Sequence, residues 1–128
     1  VQLVAANLCM SDAIIAQAAR LGPGTLLIFA AFHTDQWRET GAISRFAYSE
    51  VRMEEVLERT GFEPLYRGVE REVVRFPSAE AALDYLEQTS LKTKWQGTER
   101  WHGFLRYLEG GGDLLTDRAQ VIVKAHRK

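Results

Sequence analysis

The sequence holds a single cysteine, Cys9, in 128 residues, which excludes an intramolecular disulfide framework and any zinc cluster built from several thiolates. It has almost no net charge: 16 Lys and Arg stand against 17 Asp and Glu, giving −1 at pH 7. That balance excludes a general polyanion-binding domain and leaves room only for local basic patches, so no nucleic-acid partner is expected. No apolar run approaches the ~18 residues of a membrane span, so no membrane partner is expected either. No signal-peptide pattern is visible, and a cytoplasmic address is the expectation. The three histidines, His33, His102 and His126, lie far apart and lack carboxylates at matching spacing, so no metal site is expected. There is no internal repeat and no low-complexity segment.

What remains is ordinary globular composition, 46% hydrophobic and 26% charged, in a chain long enough to bury a core without disulfides or metal. Residues 1–128 read as one domain. The chain opens at Val1 directly in an apolar run, and this leads to the expectation that it is a piece of something longer, making the domain a partial one.

Residues 1–6 are mostly apolar and read as a short strand buried on both faces. Ser11 is placed to cap a helix with Asp12 in its first turn, Ile14, Ile15, Ala18 and Leu21 at helical spacing, and Gly22-Pro23-Gly24 as the stop. Residues 25–32 (TLLIFAAF) are a second apolar run, too short for a helix between those breakers. Two buried strands with a helical crossover imply a parallel βαβ unit. Residues 33–48 read as a long loop with a helical turn, of a length often used for lids or binding segments. Ser49 and Glu50 start a helix with Met53, Val56 and Leu57 on its buried face and Glu54, Glu55 and Glu58 on its wet one, ending at Gly61. Residues 63–76 are β-rich, with Gly68 as a candidate bulge. Ser78 caps a helix expected to bury Ala79, Leu83 and Leu86. Residues 91–97 read as a connector. Thr98 caps a helix with the stripe Trp101, Phe104, Leu105 and Leu108, ended by Gly110-Gly111-Gly112. Residues 119–125 (AQVIVKA) form the last strand, before a basic tail of His126, Arg127 and Lys128. The class is α/β, with a parallel start and a looser end.

Four places in this order carry a family resemblance. The strand running into Ala6-Asn7-Leu8-Cys9-Met10, the turn Leu21-Gly22-Pro23-Gly24-Thr25-Leu26-Leu27, the helix end at Leu57 and Thr60-Gly61-Phe62, and the closing Val121-Ile122-Val123-Lys124 resemble the fourth to seventh strands of class I S-adenosylmethionine-dependent methyltransferases. Thr25 departs from the family turn, where a second Gly is commoner. Phe76-Pro77-Ser78 and the helix after it are similar to the malonyl-carrier-protein methyltransferases of biotin synthesis and their relatives. The resemblance implies the C-terminal half of a Rossmann-like methyltransferase sheet, with parallel strands, an antiparallel last strand and flanking helices. It implies S-adenosylmethionine as cofactor and a small molecule or a carrier-bound acyl group as methyl acceptor. The family's glycine-rich turn after the first strand, and the acidic residue that holds the ribose hydroxyls, are absent from the 128 residues. The resemblance therefore implies a fragment that lacks the N-terminal cofactor-binding half and is itself inactive.

By the same resemblance Asn7, Leu8 and Cys9 lie against the cofactor, at the carboxyl end of a parallel strand where open α/β sheets place ligands. The plainer alternatives are a strand-end turn at Asn7 and a small buried hydrophobe at Cys9. His33 follows the second strand on the same sheet edge and is the candidate general base for a hydroxyl acceptor, its reference pKa of about 6.5 suiting that work. The alternative for His33 is a surface loop residue with one hydrogen bond. Trp37 and Trp95 are candidates to face the acceptor. Trp95 belongs to a basic and aromatic cluster with Lys92, Lys94, Arg100, Trp101, His102, Arg106 and Tyr107, which could cover a substrate, meet an acidic carrier protein, or be a solvated helix face.

The leading expectation is therefore methyl transfer in one displacement. Its rival is a non-catalytic methyltransferase-like module that pairs with another chain or with itself through exposed edges, so the expected partners are a missing N-terminal half or a second copy. A dinucleotide-dependent oxidoreductase fits the parallel start but lacks a phosphate-binding glycine turn.

Overall fold

Local chemistry sets where the helices begin. In the computed structural model, which describes residues 2–128, Ser11, Ser49, Ser78 and Thr98 each adopt extended backbone and accept a hydrogen bond from the amide three residues on, at 3.2, 3.1, 3.1 and 3.4 Å. Each satisfies one of the orphan donors of a helix start. The helices they open are α1 (Asp12–Ala19), α2 (Glu50–Arg59), α3 (Ala79–Gln88) and α5 (Glu99–Glu109), with a short α4 (Leu91–Trp95) before the last.

The strands are β1 (Leu3–Asn7), β2 (Leu26–Phe32), β3 (Phe62–Arg75) and β4 (Leu114–Arg127), in one sheet of order β1-β2-β4-β3. β1 and β2 are parallel, with Asn7 opposite Ala30. β4 runs antiparallel to β2, with Phe29 opposite Val123. The α/β class with a parallel opening and an antiparallel last strand is thus the one expected. The turn into β2 works as its glycines require. Gly22 and Gly24 have φ of 99° and 86°, the left-handed region that costs a side chain. Buried Thr25, where the resembling family prefers Gly, turns its hydroxyl onto the Gly22 carbonyl at 2.8 Å.

The chain divides into two compact units. The first comprises the chain up to Thr34, Arg45–Glu70 and Ala119–Lys128. Its core lies on one face of the sheet, where Leu27, Phe29, Ala31, Val121 and Val123 pack with Ile15 and Ala18 of α1 and Met53, Val56 and Leu57 of α2. Fully burying a side chain such as Phe29 or Leu57 contributes about 1.5–3 kcal/mol. The other face of the same strands is open: Leu3 is 64% and Ile28 38% exposed, and Ala5 is exposed too. This corrects the expectation that residues 1–6 and 25–32 are covered on both faces; β1 and β2 alternate between a covered and an open side. Val1 lies outside the described residues.

The second unit comprises Asp35–Ser44 and Arg71–Arg118. Its core gathers Phe76, Leu86, Leu91, Trp95, Phe104 and Leu115, with the aromatic rings of Trp95 and Phe104 edge to face at 5.9 Å. A 3₁₀ turn, Arg38–Thr40, sits directly on α5 at Gly103.

Several local expectations are revised. Residues 91–97 are not a plain connector, because Leu91 and Trp95 share one face of α4 and both are buried. In α3 the buried face is Ala82 and Leu86, with Tyr85 beside them, while Ala79 and Leu83 point outward; the i, i+4 pair wins because Phe76 packs against Tyr85 at 5.5 Å. β4 is longer than residues 119–125, starting right after the glycine turn. β3 runs unbroken through Gly68, over which the Tyr66 ring lies. Leu21, expected on the apolar face of α1, is 47% exposed beyond the helix end. No helix among the described residues is long and apolar enough to cross a membrane.

Candidate functional site

The carboxyl edge of β1 and β2 is where an open α/β sheet places ligands. The structure puts four of the expected site residues there. Asn7 ends β1 with its side chain exposed, and Leu8 follows in the left-handed region at φ 58°. For a residue with a Cβ this conformation costs on the order of 1–3 kcal/mol. It is held by the Leu8 amide donating to the Ala30 carbonyl at 2.7 Å. Cys9 is exposed, which corrects the reading of it as a small buried hydrophobe; Met10 takes the buried place instead. The chain thus leaves the sheet sharply and presents Asn7 and Cys9 at its rim.

His33, one residue past β2, is 3% exposed, not a surface histidine. Its amide donates to the Ala119 carbonyl at 3.0 Å and it bridges to Tyr48, so residues on both sides lock its backbone. The ring Nε2 pairs with Glu50 Oε1 at the start of α2, and the Glu50 side chain is 43% exposed. A buried imidazole joined to a half-exposed carboxylate is an arrangement that can take up a proton and stabilise the resulting imidazolium.

Beside this pair, Tyr48 is buried and donates its hydroxyl to Asp12 at 2.6 Å, while the Arg52 guanidinium donates to the second Asp12 oxygen at 2.8 Å. Burial first, and the hydrogen bond to Asp12 second, push the Tyr48 phenol well above its ordinary range. Asp12, Tyr48 and Arg52 line a small recess of about 140 Å³ with Ser11 and Arg45. Glu50, Tyr48 and Asp12 were absent from the sequence-based candidates. His33 and Glu50 are 17 residues apart with no motif linking them, and Asp12 reads on its own as a first-turn acid.

The second unit brings the two expected acceptor residues together. Trp37 and Trp95 meet edge to face at 5.3 Å, and the Arg100 guanidinium lies 4.9 Å from the Trp37 ring. Trp37 itself is left-handed at φ 53°, its amide on the Thr116 carbonyl and its indole N–H 3.4 Å from Asp117 Oδ1. Trp95 is 2% exposed, so it is a core residue and not the surface aromatic its place between helices suggests. Its indole N–H, like the Arg100 Nε, is buried without a partner among the described residues. Burial lowers the Arg100 pKa. Among the described residues no group of three His, Cys, Asp or Glu could hold a metal ion.

Asp117 also accepts from the Tyr85 hydroxyl. Burial, then that hydrogen bond, push Tyr85 up to about 12. Its unfolded value is near 10, so as pH rises the unfolded chain loses this proton first. The stabilisation present below about pH 10 is then lost on the way to about pH 12. Tyr85→Phe is expected to flatten that fall, as read from urea midpoints across about pH 9 to 12. An unchanged alkaline slope would remove Tyr85 as its source.

No family model matches the chain, and no curated protein matches it. Solved structures do. A candidate methyltransferase of Bacillus halodurans C-125 aligns over 98% of the chain with a TM-score of 0.57 and 15% identity. The fold is that of this methyltransferase. The chain spans 63% of that protein's length. The [4+2]-cyclase SpnF aligns with 98% of the chain and 49% of its own, at 19% identity and a TM-score of 0.48. A phosphoethanolamine N-methyltransferase 2 of Haemonchus contortus, solved with phosphomonomethylethanolamine and S-adenosylhomocysteine, aligns with 99% of the chain and 33% of its own, at 15% identity and a TM-score of 0.45. At 15% identity the likeness to the Bacillus protein is one of architecture. Within that methyltransferase fold, Asn7, Leu8, Cys9 and His33 all fall on the carboxyl edge of the two parallel strands.

Proposed function

We propose that this chain is part of a cytoplasmic enzyme that transfers a methyl group from S-adenosylmethionine to a small-molecule or carrier-bound acyl acceptor, of the kind the malonyl-carrier-protein methyltransferases of biotin synthesis act on. The observation that supports it most is the exposed, left-handed turn at Asn7, Leu8 and Cys9 on the ligand edge of a methyltransferase-type sheet. Those three residues fit one wall of a cofactor site: the turn clears the strand end and leaves the Asn7 amide and Cys9 thiol open. Bound there, S-adenosylmethionine supplies an electrophilic methyl on its sulfonium. The protein's share is positioning, because displacement needs the acceptor atom in line behind that methyl. His33 takes the proton of a hydroxyl acceptor and Glu50 steadies the charge it gains; a carboxylate acceptor needs no base. Trp37, backed by Trp95, is the proposed acceptor contact.

The second wall of the cofactor site needs a glycine-rich turn and an acidic residue that these 128 residues lack. We infer that a preceding half-domain supplies them and covers the open sheet face. The support is that face itself: Leu3, Ala5, Ile28 and Ile122 are apolar and lie on adjacent strands, while the opposite face packs against α1 and α2. The 128 residues alone are then expected to bind S-adenosylmethionine poorly. Intact mass and calorimetric titration of the natural gene product test this together: a mass well above 14.5 kDa with binding supports the reading. A 14.5 kDa product that dimerises on size exclusion and binds no cofactor favours the second reading, a non-catalytic module that pairs through the same face.

Ile28→Lys separates covered from open. On the 128 residues it is expected to change stability by no more than about 0.5 kcal/mol, since the site is half open. In a protein whose face is covered it leaves an unpaired charge buried, worth several kcal/mol. Equal effects on both would sink the idea of a cover.

A further inference from the structure

The second unit carries a cleft that the methyl-transfer reading does not use. It has a volume of about 430 Å³ and is lined by Glu99, His102 and Arg106 of α5 and by Thr40, Gly41 and Ala42 of the facing turn. That size suits a small molecule. Glu99, His102 and Arg106 stand at i, i+3 and i+7, one face of the helix. All three are exposed, and none of their side chains has a hydrogen-bond or ion-pair partner among the described residues. Asp35, Arg38, Glu39, Arg71 and Asp117 of the same unit, by contrast, are paired within it.

The opposite wall is rigid. A Cβ on Gly103 would fall 1.7 Å from the Thr40 carbonyl oxygen, so the turn rests directly on the helix backbone. Thr40 is 2% exposed, its hydroxyl donating to the Trp37 carbonyl at 2.8 Å. The Arg100 guanidinium, one residue from Glu99, reaches across to the Ala42 carbonyl at 3.1 Å. The turn therefore cannot collapse onto the three side chains and satisfy them. Along the cleft, Arg106 and His102 lie at one end and the Glu99 carboxylate at the other, about 10 Å from Arg106 along the helix axis.

We propose that this cleft binds a small molecule with an anionic group at one end and an amine at the other, the anion held by Arg106 and His102 and the amine by Glu99. A guanidinium and an imidazole about 6 Å apart along the axis can both reach one carboxylate or phosphate, and charge-assisted hydrogen bonds of this kind are the strong ones. The carboxylate of Glu99 accepts from the amine. The site is independent of methyl transfer and stands if that reading falls.

The test is NMR titration of the 128-residue protein, following the His102 ring and the α5 amides, with acetate, inorganic phosphate and 4-aminobutanoate as probes. The expected result is saturable shifts in this cleft, with 4-aminobutanoate bound about tenfold more tightly than acetate through its second ion pair. Arg106→Gln should weaken all three probes, and Glu99→Gln should remove only the advantage of 4-aminobutanoate. Both positions are exposed, so both variants should keep the wild-type circular dichroism spectrum. Absence of saturable shifts, or shifts that persist in Arg106→Gln, would overturn the site; equal affinity for acetate and 4-aminobutanoate would overturn the two-ended ligand. Phosphate binding better than either carboxylate, with loss in Arg106→Gln, would support the site and name its anion as a phosphate.

Discussion

Gly103→Ala is expected to destabilise the second unit by about 3 kcal/mol, near the upper end of what overpacking costs. The Thr40 carbonyl oxygen lies 1.7 Å from where the new Cβ would sit, and the atom in the way belongs to backbone. Relief therefore requires the whole turn to lift. That turn carries Trp37, whose ring packs on Trp95, and Glu39, which accepts from the Thr116 hydroxyl at 2.9 Å. The helical preference for Ala over Gly returns up to about 1 kcal/mol and does not offset the clash. Gly110→Ala is the control: its Cβ would meet nothing closer than 3.6 Å, and its φ of −78° suits any residue. Thermal unfolding should show a fall on the order of 10 °C for Gly103→Ala and little change for Gly110→Ala. Similar midpoints for the two variants would show that the turn does not rest on α5 as described.

How much of this was legible beforehand follows from the range of the interactions. The helix starts at Ser11, Ser49, Ser78 and Thr98 were legible because a cap is a contact over three residues. The parallel pair was legible because Gly22-Pro23-Gly24 separates a helix from an apolar run too short to be another. What failed was long-range. The five residues of α4 carry little helical signal of their own; Leu91 and Trp95 are helical because Phe104 and its neighbours give them something to pack on. The His33–Glu50 pair joins the end of a strand to the start of a helix 17 residues on, and no local pattern marks it. The open side of β1 and β2 is the most instructive miss. An apolar run such as residues 25–32 reads as buried on both faces whether or not the covering layer is present, because the side chains record the burial they were selected for.

On the methyl-transfer reading proposed above, His33→Gln is expected to lower transfer to a hydroxyl acceptor by about 10²- to 10⁴-fold, the usual worth of a general base. Gln keeps a donor toward Glu50 and a similar volume, so unfolding midpoints should move far less than the rate. Glu50→Gln should cost less than removing His33, since it leaves the base and alters only the carboxylate that holds its ring. The measurement is kcat for the natural gene product and both variants, beside their unfolding midpoints. A carboxylate acceptor predicts a different outcome, with full rate in His33→Gln, and that result would reassign His33 to holding β2 against Tyr48. The same pair of variants thus reads out both the role of His33 and the chemical class of the acceptor atom.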